Sequence, residues 1–155
     1  MQKKLKHPVL FVCLLMLTVA WAAFIFCRSA QPATSSKEES GRLLTFLQQF
    51  FPWLTVFLIR KAAHITEFFI LGALVCGTVC AAGRFLPWIP VLTGLAVAVS
   101  DELIQLTQEG RSCELRDMCI DFSGVLLAVV LFWLIYRMIG KKRTARAADA
   151  DTESR

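Results

Sequence analysis

Four apolar runs, each about as long as a membrane-crossing helix, constrain this chain more than any other feature of its sequence. A helix rises 1.5 Å per residue, so about 20 apolar residues cross the roughly 30 Å hydrocarbon layer of a bilayer. With 56% hydrophobic residues, the 155-residue chain is too apolar for a soluble domain of this length. Because backbone groups in lipid must be satisfied within helices, we predict an all-α polytopic membrane protein that forms one four-helix bundle. The predicted spans are about 9–27, 62–82, 88–106 and 118–139.

The distribution of Lys and Arg predicts the orientation of these spans. Basic residues flank the first span at positions 3, 4 and 6, Arg84 lies between the second and third spans, and further basic residues follow the fourth. This bias predicts that both termini lie in the cytoplasm. The membrane domain then covers residues 1–139 and is followed by a disordered basic tail over 140–155. The first apolar run has 19 residues, more than the 7–15 usual in a signal peptide, so we expect a retained anchor.

The net charge of +5 is explained by these basic flanks next to anionic lipid. No basic groove with interleaved aromatic residues and no zinc-finger spacing indicates a nucleic-acid partner. We therefore expect the lipid bilayer as the partner of the chain, with homo-oligomers as an open alternative.

The connection between the first two spans divides into two parts. Residues 28–40 are small and polar, which is typical of an exposed loop. Leu and Phe residues then recur at helical spacing from Leu43 to Phe57, interrupted by Pro52. This pattern predicts an amphipathic external helix, kinked at the proline, that either covers the bundle or forms a lid over a polar pocket.

Ionisable and amide side chains cluster near the ends of three predicted spans. With about 100° per residue, each of these helices carries them along one flank. In the predicted topology, the start of the second span and the junction of the third and fourth face the external side. We therefore expect a polar binding site there, formed by Lys61, His64, Glu67, Asp101, Glu102, Gln105, Arg111, Asp117 and Asp121.

The spacing of these residues resembles that of the VanZ family of bacterial membrane proteins. The resemblance covers about residues 9–138 and also includes Phe26-x-x-Ser29-x-Gln31-Pro32 and Ser40. It implies a multi-pass protein of the bacterial cell membrane, in a family whose name-giving member is associated with resistance to teicoplanin-type glycopeptides. The motifs are Arg60-Lys61-x-x-His64-x-x-Glu67-Phe68, Ser100-Asp101-Glu102-x-x-Gln105 with Gly110-Arg111, and Asp117-x-x-x-Asp121-x-x-Gly124.

The residue types in this cluster are compatible with binding or with catalysis. Lys61 and Arg111 would attract the phosphate or carboxylate of a lipid-linked cell-wall precursor, a lipid headgroup or an antibiotic. His64 with Glu67 is a candidate acid/base pair, and imidazole with carboxylates suits a divalent metal ion. No catalytic role is assigned, but the candidates for an enzyme that acts on a lipid-linked envelope substrate are His64, Glu67, Asp101 and Asp121.

Three further interpretations remain open at this point. The charged residues could simply pair to orient the helices, for example Asp117 or Asp121 with Lys61 or Arg111. Transport is a weaker alternative, since four short helices make a poor alternating-access device. A disulfide among Cys27, Cys113 and Cys119 is a further expectation to be tested. A binding role is slightly favoured over catalysis.

Overall fold

The computed structural model describes residues 7–83, 85–111 and 114–153, and within these residues it contains helices and no strands. Four helices are long and apolar enough to cross a membrane, over Pro8–Ser29, Val56–Ala81, Trp88–Leu106 and Leu115–Ile139. The predicted all-α architecture with four candidate membrane spans is therefore confirmed. The five helices are α1 (Pro8–Ser29), α2 (Ala33–Leu47), α3 (Val56–Ala81), α4 (Trp88–Leu106) and α5 (Leu115–Glu153).

Helix α3 lies at the centre of the bundle and packs against all four other helices. The backbone N–H of His7 donates to the carbonyl of Ala81 over 3.2 Å, which joins the start of α1 to the end of α3. Consecutive spans run in opposite directions. The ends of α1 and α4 therefore meet the starts of α3 and α5 at one end of the bundle, which we call the polar end.

The apolar core lies along the contact between α3 and α5. Phe68 and Leu71 of α3 and Val125 of α5 are fully buried. At Gly124 the two helices approach so closely that an added Cβ would lie 2.4 Å from the carbonyl oxygen of Ile65. Only a residue without a side chain allows α5 to pass α3 at this distance.

The connection between α1 and α3 differs from its prediction. Residues 28–40 were expected to form an exposed loop, but α1 extends to Ser29 and α2 begins at Ala33. Ser29, Ala33 and Ser36 are buried because α2 folds back over the polar end. The small size of these side chains allows them to pack there, whereas the loop prediction considered only the polar composition of the segment.

The helix predicted between Leu43 and Phe57 is divided in the structure. Its first part is the end of α2, which stops at Leu47, and turns follow up to Thr55. The Thr55 hydroxyl accepts a hydrogen bond from the N–H of Leu58 over 3.3 Å and so caps the start of α3. Pro52, which lacks an N–H, lies in the turns between the helices. That this segment lies on the outer leaflet stays a prediction.

Two further predictions concern the carboxyl-terminal end of the membrane domain and the pairing of the cysteines. The backbone of α5 remains helical to Glu153, where the sequence predicts a disordered tail from position 140. Ala, Arg and Lys in this stretch favour a helical backbone. The disorder of residues 140–155 stays a prediction. Cys27 and Cys119 are free thiols, so they do not form a disulfide with each other. Cys113 lies outside the described residues.

We expect Gly124→Ala to destabilise the bundle, because the new methyl group would collide with backbone atoms of α3. The cost of such overpacking is about 1–3 kcal/mol. Gly41→Ala is the matched control, since nothing lies within 4 Å of an added Cβ at that position. The check is the thermal unfolding midpoint of both variants in the same detergent, and equal midpoints would contradict the close approach.

Candidate functional site

Two carboxylates are buried inside the polar end. Asp101 of α4 is 1% exposed and Asp121 of α5 is 0% exposed. Within a membrane protein a buried charge is costly unless it meets a partner, an ion or water. The partners of these two side chains therefore determine what the site can do.

Asp101 is held by two donors from different helices. The Ser29 hydroxyl, at the last residue of α1, donates a short hydrogen bond to Oδ1 of Asp101. Gln105, one turn further along α4, donates from Nε2 to Oδ2 over 2.6 Å. The carboxylate orientation is thus set from both sides, and the end of α1 is attached to α4.

Asp121 faces His64 instead. Nδ1 of His64 lies 3.0 Å from Oδ1 of Asp121. This separation is within ion-pair distance, and in the described part of the chain Oδ2 of Asp121 has no hydrogen-bond partner. His64, Asp101 and Asp121 each place a potential ligand atom within 4.8 Å of the others. These three residues form the inner cluster, and they are the ones that could hold a metal ion.

Ion pairs surround the inner cluster. Lys61 Nζ lies 2.5 Å from Oδ1 of Asp117, which joins α3 to α5. Arg28 joins three helices, since it lies 3.0 Å from Glu67 of α3 and 3.2 Å from Glu39 of α2. Lys61 therefore faces α5 and Glu67 faces α1. A direct acid/base contact between His64 and Glu67 is not seen among the described contacts.

Glu102 is buried but takes part in a different contact. Its Oε2 accepts a hydrogen bond from the backbone N–H of Glu114 over 3.1 Å. This contact ties the end of α4 to the residue before α5. The geometry therefore favours a role for Glu102 in shaping the connection between the two helices.

A cavity of about 520 Å³ opens beside this connection. A second cavity of about 20 Å³ lies next to Ser29, His64 and Glu67. Arg60 and Arg111 line both, so the small cavity adjoins the large one. The large cavity is lined by Ala33, Val56, Phe57, Arg60, Lys61, Gln105, Gly110, Arg111, Glu114, Arg116 and Asp117.

Arg111 lies between the carboxylates and the large cavity. Burial lowers the pKa of its guanidinium, the nearby charge of Arg60 lowers the pKa further, and Asp101 opposes that change. Its Nε is buried without a hydrogen-bond partner in the described part of the protein. A bound anion would relieve the repulsion between the two guanidinium groups and supply the missing acceptor.

Ser29, Arg28 and Arg60 belong to this site, although the sequence analysis did not include them among its binding residues. Ser29 and Arg60 were visible as members of the spaced motifs, whereas Arg28 had only its position at a span end as a signal. Each of the nine predicted residues lies at the polar end. The structure brings His64, Asp101 and Asp121 into one cluster and places Lys61, Gln105, Arg111 and Asp117 around the large cavity.

The model of the VanZ/LLP1 family matches residues 12–136, which includes all the residues of this site. The chain belongs to the VanZ/LLP1 family. The resemblance noted from the spaced motifs is thereby confirmed. No curated protein and no solved structure matches the chain in the corresponding comparisons.

We expect Ser29→Ala to lower the stability of the bundle by about 1.5–3 kcal/mol, the usual cost of removing a donor from a buried charged acceptor. The effect should nearly vanish in an Asp101→Ala background, where no carboxylate remains to be satisfied. Ser100→Ala is the matched control, because Ser100 donates only to Ala96 of its own helix. Thermal unfolding of the two single variants and the double variant in detergent measures the coupling between Ser29 and Asp101. Additive losses of stability from the two substitutions would argue against the contact.

Proposed function

We propose that this VanZ/LLP1 family protein binds the anionic headgroup of a lipid, such as a lipid-linked cell-wall precursor, in the large cavity. The single observation that carries the proposal is the set of four basic side chains that line it, Arg60, Lys61, Arg111 and Arg116. Phosphate groups are recognised in proteins by such clusters, and arginine provides a planar pair of donors.

Two of these four cations are available for an anion. Lys61 pairs with Asp117, and Arg116 lies 3.1 Å from a Glu114 carboxylate oxygen. Among the residues that the structure describes, no ion pair engages Arg60 or Arg111. The excess positive charge of the cavity therefore lies on the side of these two arginines, next to the inner cluster.

The rest of the lining favours a ligand that is partly apolar. Ala33, Val56 and Phe57 line the same cavity, and Phe57 is half exposed. The cavity lies at the end of the membrane-spanning helices, the depth at which lipid headgroups and interfacial side chains meet. A phosphate attached to a hydrocarbon chain fits this combination better than a free inorganic anion does.

The predicted orientation places this cavity at the external leaflet of a bacterial cell membrane. The supporting observation is the bias of Lys and Arg toward the other end of the spans. A protein that binds a precursor or a glycopeptide there would protect the precursor from the antibiotic, which accounts for a role in teicoplanin-type resistance. This consequence rests on the family resemblance as well as on the cavity.

We expect Arg60→Gln and Arg111→Gln each to weaken the binding of a polyprenyl phosphate about tenfold, which corresponds to about 1.4 kcal/mol. Arg137→Gln is the matched control, because Arg137 stacks over Trp133 outside the cavity. Titration of the lipid into protein-containing nanodiscs, followed by tryptophan fluorescence, measures the three affinities. Equal affinities in all three variants would contradict the proposal.

Expression in a glycopeptide-sensitive Gram-positive host tests the physiological part. We expect the wild type to raise teicoplanin tolerance severalfold, and Arg111→Gln at equal membrane abundance to remove most of the gain. Glu109→Cys, in the exposed connection after α4, should react with an impermeant thiol reagent from outside when the native cysteines are replaced by alanine. Labelling only after the membrane is permeabilised would reverse the proposed orientation.

An enzyme that acts on the same lipid-linked substrate is the second candidate function. The observation in its favour is the position of His64 beside Asp121 and next to the small cavity that adjoins the large one. An imidazole so placed can transfer a proton to or from a bound substrate. If the protein is an enzyme, the wild type releases the headgroup in the same nanodiscs, and His64→Gln binds the lipid but releases no headgroup. If the protein only binds the lipid, neither the wild type nor His64→Gln releases a product.

A further inference from the structure

We propose that His64, Asp101 and Asp121 bind one divalent transition-metal ion, most readily Zn²⁺, inside the polar end. This site is separate from the large cavity, and the proposal does not depend on what the large cavity binds. The three residues come from α3, α4 and α5, so the ion would connect the three helices that form the core of the bundle.

The geometry of the inner cluster is close to that of three ligands around one ion. Its three potential ligand atoms lie within 4.8 Å of one another. Two ligands bound tetrahedrally at about 2.0–2.2 Å to the same ion are themselves about 3.3–3.6 Å apart. On binding, His64 Nδ1 and Asp121 Oδ1, which lie 3.0 Å apart, would separate slightly, and any pair that is wider than this range would move together.

The buried carboxylate of Asp121 is the second observation. This side chain is fully buried, its Oδ1 contacts only His64 among the described contacts, and its Oδ2 accepts no hydrogen bond from any described residue. Buried carboxylates are otherwise satisfied by several donors, as Asp101 is. A cation bound between Asp121, Asp101 and His64 would give this carboxylate a charged partner.

The charges around the cluster lead to the same conclusion. Asp101 and Asp121 together bring two negative charges into a small buried volume, while His64 can supply at most one positive charge. Lys61 and Arg28 face this region but pair with Asp117 and with Glu67, respectively, and Arg111 adds one nearby positive charge on the side of the large cavity. A divalent cation with a neutral imidazole would neutralise the two carboxylates.

The surroundings of the cluster provide what a metal site needs. Ser29 and Gln105 donate to Asp101, in the manner of the outer partners that orient metal-binding carboxylates. The small cavity beside His64, about 20 Å³, is large enough for one water molecule, which requires about 10–15 Å³. Three protein ligands and one water complete a tetrahedral zinc site. Mg²⁺ and Ca²⁺ are less suitable because they prefer oxygen ligands throughout.

The experiment measures metal in the purified full-length protein after removal of any affinity tag. The protein in detergent is stripped with a chelator, incubated with Zn²⁺, Mn²⁺ or Mg²⁺, desalted and measured by elemental mass spectrometry. The variants are Asp121→Asn and His64→Gln, with Glu109→Gln as the control, since Glu109 lies in the exposed connection after α4. Size-exclusion profiles establish which variants remain folded.

We expect about one Zn²⁺ per chain in the wild type and in Glu109→Gln, and at least a tenfold loss of affinity in the other two variants. Co²⁺ loaded into the wild type should show the intense visible absorption of a tetrahedral site, a readout that requires no variant to fold. Absence of bound metal in the wild type, or equal binding by Asp121→Asn, would overturn the proposal. An octahedral Co²⁺ spectrum identical to that of the aqueous ion would overturn it as well.

Discussion

The structure of the polar end depends on the burial of two carboxylates where little water is available to solvate them. Asp101 and Asp121 lie on different helices, and each must be satisfied by groups from the helices around it. This requirement explains why α1 ends at a serine that donates to Asp101 and why α3 presents a histidine to Asp121. The same requirement fixes the rotation of each helix at this end more closely than apolar packing alone would. A rotation by one residue would leave a charge without its partner.

The charges at this end are arranged in layers. Carboxylates lie innermost, paired lysine and arginine side chains surround them, and Arg60 and Arg111 line the cavity outside. If both proposals hold, a cation at the centre and an anion in the cavity would stabilise each other because their charges have opposite sign. The same layering makes simple helix pairing an incomplete account. Lys61 with Asp117 and Arg28 with Glu67 are ion pairs of that kind, whereas Nε of Arg111 and Oδ2 of Asp121 have no partner among the described residues.

The class of fold could be predicted from the sequence because the length of an apolar run has a direct physical meaning in a bilayer. The common location of Lys61, Asp101 and Asp121 followed from the alternating direction of consecutive spans. The individual contacts did not follow, since the rotation of each helix depends on packing. Gly124 determines how closely α5 approaches α3, and the resulting geometry directs His64 to Asp121 and leaves Glu67 facing Arg28. The burial of Ser29 and Ser36 was missed because the polar connection contains a helix that folds back over the site.

Helix α1 makes its main described contacts with the rest of the bundle along a single line. Trp21 donates from its indole to the carbonyl of Glu67 over 2.9 Å, Ile25 is buried in the core, and Ser29 reaches Asp101. These three positions are spaced four residues apart, while many of the other apolar residues of α1 are exposed on the surface of the bundle. The apolar residues on the rest of the α1 surface can therefore change with the thickness and lipid content of the membrane without disturbing these contacts. Selection for the site would act on one stripe of this helix, and adaptation to different bilayers would act on the rest.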